Sequence, residues 1–143
     1  MGLIDISKKE NVPREAVAEG KIVLAQQTLK EVKARRIKKG DVFECARAAG
    51  LLALKRTPEL LPHCHPINIT SADIEFKMLK DGIKVTCVGK ADYKTGVEMD
   101  VLTGCSVALL TIWDMVKYLE KDKDGQYPNT RIENIRVVKK RKG

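Results

Sequence analysis

Aromatic side chains are scarce in this chain: two Phe, one Trp and three Tyr make up 4% of its 143 residues. Proteins that hold single-stranded nucleic acid stack bases on aromatic rings inside a basic groove. No Lys/Arg stretch is interleaved with aromatics here. The net charge of +8 therefore points to an anion that needs no stacking platform, a phosphorylated small molecule before a nucleic acid. Zinc chemistry is equally poorly served. Cys45, Cys64, Cys87 and Cys105 form no Cys-x-x-Cys pair and read as small buried hydrophobes. Zinc needs three or four convergent ligands, and no second Cys/His cluster exists to complete a site around His63, Cys64 and His65. Uncharged apolar runs of about 18 residues are missing, which argues against a membrane span. The opening MGLIDISKKEN lacks the apolar core of a secretory leader, so a cytosolic protein is expected. The Gly-x4-Gly-Lys-Ser/Thr phosphate loop is absent too.

What is present suffices for one domain, residues 1–143, with a hydrophobic fraction of 43% that argues against disorder. Glu15 to Ala25 reads as a strand, and Thr28 to Ile37 has helical spacing ended by Lys38-Lys39-Gly40. Asp41 is placed to cap a second helix, VFECARAAGLLALKR, through its side-chain oxygen. A short helical turn follows at Pro58 to Leu61. Residues 67–78 and 82–93 alternate with period two around Lys80-Asp81-Gly82, the signature of a hairpin. A long apolar helix covers Val101 to Leu119, and Arg131 to Val138 forms a last strand before a KKRKG end. This order predicts an α+β protein, a ferredoxin-like antiparallel sheet packed against helices.

Four groups could carry chemistry, each beside a plainer role. Asp114 and Lys117 sit one turn apart on the apolar helix, so they form either a buried ion pair or a desolvated acid–base pair. Glu98 and Asp100 alternate with Val97, Met99 and Val101 at strand spacing, sending both carboxylates one way. Acidic residues opening a helix are the alternative. His63 and His65, the only histidines of the chain, share a face if the prolines on either side keep the segment extended. Imidazoles suit proton transfer or phosphate contact near neutral pH, whereas a Pro-flanked turn can equally be plain punctuation. Lys39 either closes a helix electrostatically or meets a phosphate beside the free N–H groups of the next helix.

The blocks DISKKENVPREAVAEG, KKGDVFECARAAG, LKRTPELLPHCHP and KTGVEMDVLTGCSVALLTIWDMVK resemble, in order and spacing, the MoaC family of molybdenum cofactor biosynthesis. The resemblance covers residues 4 to about 121. It implies an enzyme that converts 3′,8-cyclo-7,8-dihydroguanosine triphosphate into a pyranopterin with a cyclic phosphate, expelling pyrophosphate. Asp114, assisted by Lys117, would be the acid–base group, and Lys39 a second catalytic lysine. His63, Cys64 and His65 would line the substrate site, with His65 facing the triphosphate. Glu98, Met99 and Asp100 would bind the pterin side, and Arg14, Lys55 and Lys140 would be phosphate contacts. The family implies a homohexamer, a trimer of dimers with sites at subunit interfaces. The sequence requires no cofactor or metal, and Mg²⁺ is compatible as a companion of the triphosphate. Asp100 departs from the usual Glu, His63 replaces an apolar residue, and the tail is cut down to KKRKG. The competing reading from another class is a basic RNA-binding module, for which Phe76 and Tyr93 are the only aromatics on the hairpin. A purely structural oligomer with a buried ion pair is the other.

Overall fold

A computed structural model describes residues 2–143. Four strands, β1 (Val12–Val23), β2 (Ser71–Met78), β3 (Gly82–Tyr93) and β4 (Arg131–Lys142), form one sheet in the order β2-β3-β1-β4. Every neighbouring pair is antiparallel. Helices α1 (Gln26–Lys33), α2 (Val42–Lys55) and α3 (Thr57–Leu60) join β1 to β2, and α4 (Glu98–Glu120) joins β3 to β4. The expected ferredoxin-like order is thus observed. One sheet face is covered by α2 and α4. Ala16, Ala18 and Ile22 of β1 and Ile83, Val85 and Cys87 of β3 point into that layer, as alternation requires. The helices cross closely at Gly50, where an added Cβ would lie 2.8 Å from the Gly104 carbonyl oxygen.

Several boundaries differ from the sequence expectation, each for a local reason. Helix α1 stops at Lys33 rather than Ile37, because Arg35 takes a left-handed conformation with φ of 57°. Arg36 N–H then donates to Glu31 O at 2.9 Å and Arg35 N–H to Val32 O at 3.1 Å, the paired bonds of a Schellman closure. That turn drives Ile37 into the core and leaves Lys38-Lys39-Gly40 as a loop. The expected cap on α2 is present, Asp41 Oδ1 accepting from Glu44 N–H at 3.1 Å. The hairpin strand β2 begins at Ser71, not at residue 67, and β1 begins earlier, at Val12. The basic end is no loose tail: β4 runs through it, with Lys140 opposite Ala16 and Lys142 opposite Arg14.

By length and composition alone α4 could cross a membrane, with a mean hydropathy of 1.5 over its most apolar stretch. Its apolar character has another outlet. Val101, Cys105, Ala108, Leu109, Ile112 and Val116 are buried against the sheet and α2. The helix therefore spends its hydrophobic face on the core of the domain.

Candidate active site

The two ends of α4 carry two separate constellations. At its start, Leu61, Pro62, His63, Cys64, His65, Ile67, Thr95, Gly96, Glu98 and Met99 line a cavity of about 490 Å³. The Pro-flanked segment is not fully extended, because Cys64 N–H turns back to Leu61 O at 2.9 Å. Both histidines still reach this cavity. Helix α4 starts at Glu98, so Glu98 and Asp100 lie in a first helical turn rather than on a strand. Successive helical residues are about 100° apart, which sends their carboxyls in different directions. Glu98 faces the cavity, and its carboxyl folds back over the preceding loop. A Cβ on Gly96 would sit 2.7 Å from the Glu98 carboxyl carbon and would push that carboxyl into another rotamer. Burial pushes the Glu98 carboxyl up. The Lys140 ammonium, paired to it at 2.6 Å, and Arg14 beyond hold it below the usual range.

Asp100 goes inward instead. It is 2% exposed, and its Oδ2 finds no hydrogen-bond partner. Burial raises its carboxyl to about 6, against the pull of its own backbone N–H and the Thr57 hydroxyl. It lies under the cavity floor rather than lining it. Folding thus raises the affinity of this group for a proton. Its ionised form destabilises the fold above about pH 6, and the penalty is relieved as pH falls towards the unfolded value near 4. Asp100→Asn is accordingly expected to stabilise the domain by about 1–2 kcal/mol near pH 7.5 and by nothing near pH 4. Thermal melts at the two pH values check this, and an equal shift at both would refute it. Cys64 carries a neutral thiol, since burial, with Asp100 beyond it, raises its pKa.

Two turns from the other end of α4, Asp114 stands between two lysines. Its Oδ1 is 3.1 Å from Lys117 Nζ and its Oδ2 is 3.1 Å from Lys39 Nζ. Lys39 Nζ also donates to the Asp114 carbonyl at 3.1 Å. The loop that delivers Lys39 is fastened to α4: Lys38 N–H donates to the Tyr118 hydroxyl at 3.0 Å, and the Lys38 ammonium sits over the Tyr118 ring. Lys117 first, then Lys39, hold the Asp114 carboxyl below the ordinary aspartate range. The trio is open, with side-chain exposures of 58%, 45% and 42% for Asp114, Lys39 and Lys117. A buried ion pair is therefore not what this chain contains. Trp113, next to Asp114, packs edge-on against Tyr127.

The remaining expected residues scatter. Arg14, 8% exposed, donates Nε to Tyr93 O at 3.3 Å and Nη2 to Lys94 O at 3.1 Å, fixing the loop that leads into α4. It braces the loop beside the cavity wall and also lines two neighbouring grooves, one of them with Lys9 and Lys142. Lys55 borders a different groove, with Leu51 and Ile69 to Ala72. Lys140 is committed to Glu98. Missed by the sequence reading were Thr95, Gly96 and Ile67 as wall residues. Also missed was a contact of His65 Nε2 with the Ile4 carbonyl at 2.6 Å. The Lys-Thr-Gly block itself held the signal for Thr95 and Gly96. Among the described residues no group of three or more His, Cys, Asp or Glu is placed to hold a metal ion. Phe76, an aromatic the RNA reading needed, is taken up by Phe43 and the Arg47 guanidinium.

The result is a ferredoxin-like α+β domain with an apolar-walled, imidazole-lined cavity at one end of α4 and a carboxylate clamped by two lysines near the other. The profile of the MoaC family matches residues 3–143, and the chain belongs to that family. Similar proteins carry the name "Probable cyclic pyranopterin monophosphate synthase". One from Thermococcus kodakarensis is 57% identical over 141 residues, 99% of this chain and 90% of that protein. One from Archaeoglobus fulgidus is 55% identical over 141 residues, with the same coverage. One from Sulfurisphaera tokodaii is 54% identical over 138 residues, 96% of this chain and 91% of that protein.

Proposed function

We propose that this chain is a cyclic pyranopterin monophosphate synthase. It converts 3′,8-cyclo-7,8-dihydroguanosine triphosphate into cyclic pyranopterin monophosphate and pyrophosphate, in molybdenum cofactor biosynthesis. The observation that carries the reading, beside family membership, is the Asp114 carboxylate held between Lys39 and Lys117. Ring rearrangement needs a positioned proton acceptor and donor, which a carboxylate flanked by ammonium groups can serve as. Closing the cyclic phosphate makes an oxygen–phosphorus bond and breaks the one to pyrophosphate. The charge that develops on the leaving oxygens needs fixed cations. In this reading Lys39 and Lys117 supply them, and any Mg²⁺ arrives on the triphosphate. His63, Cys64, His65, Glu98 and Met99 hold the heterocycle and sugar, whose flat rings suit an apolar cavity with a few polar groups. Asp100 acts from beneath, through its neighbours. The setting is cytoplasmic, and neither nucleic acid nor membrane is a partner.

Glu98 and Asp114 are 16 positions apart on one helix, about 24 Å along its axis. That is more than one nucleotide triphosphate spans. The reading is therefore completed by a homohexamer, a trimer of dimers, in which the cavity of one copy meets the lysine-clamped carboxylate of another. The openness of Asp114, Lys39 and Lys117 in a single chain and the exposed Leu110 on the same helix support such an interface. The test is turnover of the cyclic triphosphate, following pyrophosphate and pterin together. Lys39→Ala is expected to lower kcat by about 10²–10³-fold with unchanged assembly. Full turnover by this variant would remove Lys39 from the machinery, and absence of both products from the wild-type chain would refute the activity.

A further inference from the structure

Residues 2–11, ahead of β1, form neither helix nor strand, yet they are tied to His65 of the cavity wall and to Lys94 next to it. The segment's own turn is closed by Asp5 Oδ1 accepting from Ser7 N–H at 2.9 Å and by Lys9 N–H donating to Ile6 O at 3.0 Å. The Ser7 carbonyl accepts from Lys94 Nζ at 3.4 Å, at the start of the loop that supplies Thr95 and Gly96. The Ile4 carbonyl lies 2.6 Å from His65 Nε2. Hydrophobic burial does not hold this arm down, because Leu3 and Ile4 are 54% and 77% exposed. Among the described residues its long-range hydrogen bonds are the polar ones just named, one to His65 on the cavity wall and one to Lys94, which precedes the wall residue Thr95.

A backbone carbonyl can only accept, so the ring nitrogen facing it must carry the hydrogen. The bond made by one imidazole nitrogen decides the state of the other. We propose that the amino-terminal arm, residues 3–9, is a positioning element for His65, fixing its neutral ring as the Nε2–H tautomer and leaving Nδ1 as a hydrogen-bond acceptor. The consequence is one of specificity and rests on the cavity being the substrate site. An acceptor nitrogen takes an N–H or O–H group of the substrate, a ring N–H, exocyclic amine or sugar hydroxyl. It does not take a phosphate oxygen, which needs a donor. His65 would then read the heterocycle or sugar, and the phosphates would be left to the lysines.

The tautomer is directly observable. The two histidines of the chain give two sets of ring ¹⁵N signals, and a His63→Leu spectrum assigns them. At about pH 8, where an ordinary imidazole is neutral, His65 is expected to show a protonated Nε2 and an unprotonated Nδ1. Deleting residues 2–6 is expected to collapse this to a tautomer mixture and to lower kcat/KM about tenfold, the usual cost of losing an orienting partner. Should the deletion impair folding, Lys94→Met releases the Ser7 anchor and is read by the same signals, with circular dichroism confirming the fold. An Nδ1–H tautomer or an even mixture in the full chain would overturn the proposal, as would an unaltered signature in well-folded arm variants. Because the ¹⁵N signature needs no substrate, it stands or falls separately from the activity assignment.

Discussion

Two chains that are each inactive, one with Asp114→Asn and the other with His65→Ala, are expected to recover about a quarter of wild-type turnover when their subunits exchange. The figure follows from counting. If each site takes His65 from one copy and Asp114 from another, random pairing supplies an intact residue at each position half the time. The intact combination then arises in about one site in four, and it is wild type in every reacting group. The proposed arrangement rests on the separation of the two groups along one helix. His65 lines the cavity at the start of α4, and Asp114 lies near the far end of the same helix, clamped by Lys39 and Lys117. Asp114→Asn alone is expected to leave folding intact, because the side chain is solvent-exposed and its ion pairs contribute little to stability. Turnover that stays at zero after mass spectrometry confirms mixed oligomers would mean that one chain supplies both residues. The shared-interface arrangement would then be wrong.

The second large effect concerns stability. Glu120, 9% exposed at the end of α4, accepts from three elements at once. Ala25 N–H, ahead of α1, reaches its two carboxyl oxygens at 3.3 and 3.1 Å. The Thr28 hydroxyl of α1 bonds Oε2, and the Thr130 hydroxyl, just before β4, bonds Oε1 at 2.7 Å. Glu120→Ala strands these donors in a dry site and opens a void. A loss of about 3–4 kcal/mol is expected, since each buried donor left unpaired costs roughly 1–3 kcal/mol. For a domain of this length that is roughly a 10 °C fall in Tm. Glu120→Gln, which keeps the shape and one acceptor oxygen, is expected to lose about half as much. Chemical denaturation of the three proteins decides it. If Glu120→Ala matches wild type, the junction of α1, α4 and β4 is held by packing alone.

Glu120 also shows where sequence reading stops. Binary pattern revealed the strands, the two main helices and their order, because alternation and helical spacing are local properties of the chain. The Asp41 cap was legible for the same reason. Arg35 was not: nothing in a run of helix formers marks one arginine for a left-handed conformation. Yet that single residue ends α1 early and frees the Lys39 loop. The KKRKG end reads as solvated charge, but its backbone pairs with β1, and pairing does not depend on side-chain polarity. Within the site, residue types were legible and directions were not. Glu98 and Asp100 both read as ligands at strand spacing. The helical start at Glu98 turns one into the cavity and the other beneath it. The strap from Ile4 to His65 spans 61 residues, and no periodicity encodes such a contact.

The chain has one tryptophan, and the fold sets it beside Asp114, edge-on to Tyr127 with ring centroids 5.2 Å apart. Its indole is therefore a built-in optical probe of the lysine-clamped end of α4. Emission excited at the red edge of the absorption band reports on that end alone, silent to events at the histidine-lined cavity of the same subunit. Stopped-flow fluorescence can thus follow events at that end of the helix without a label.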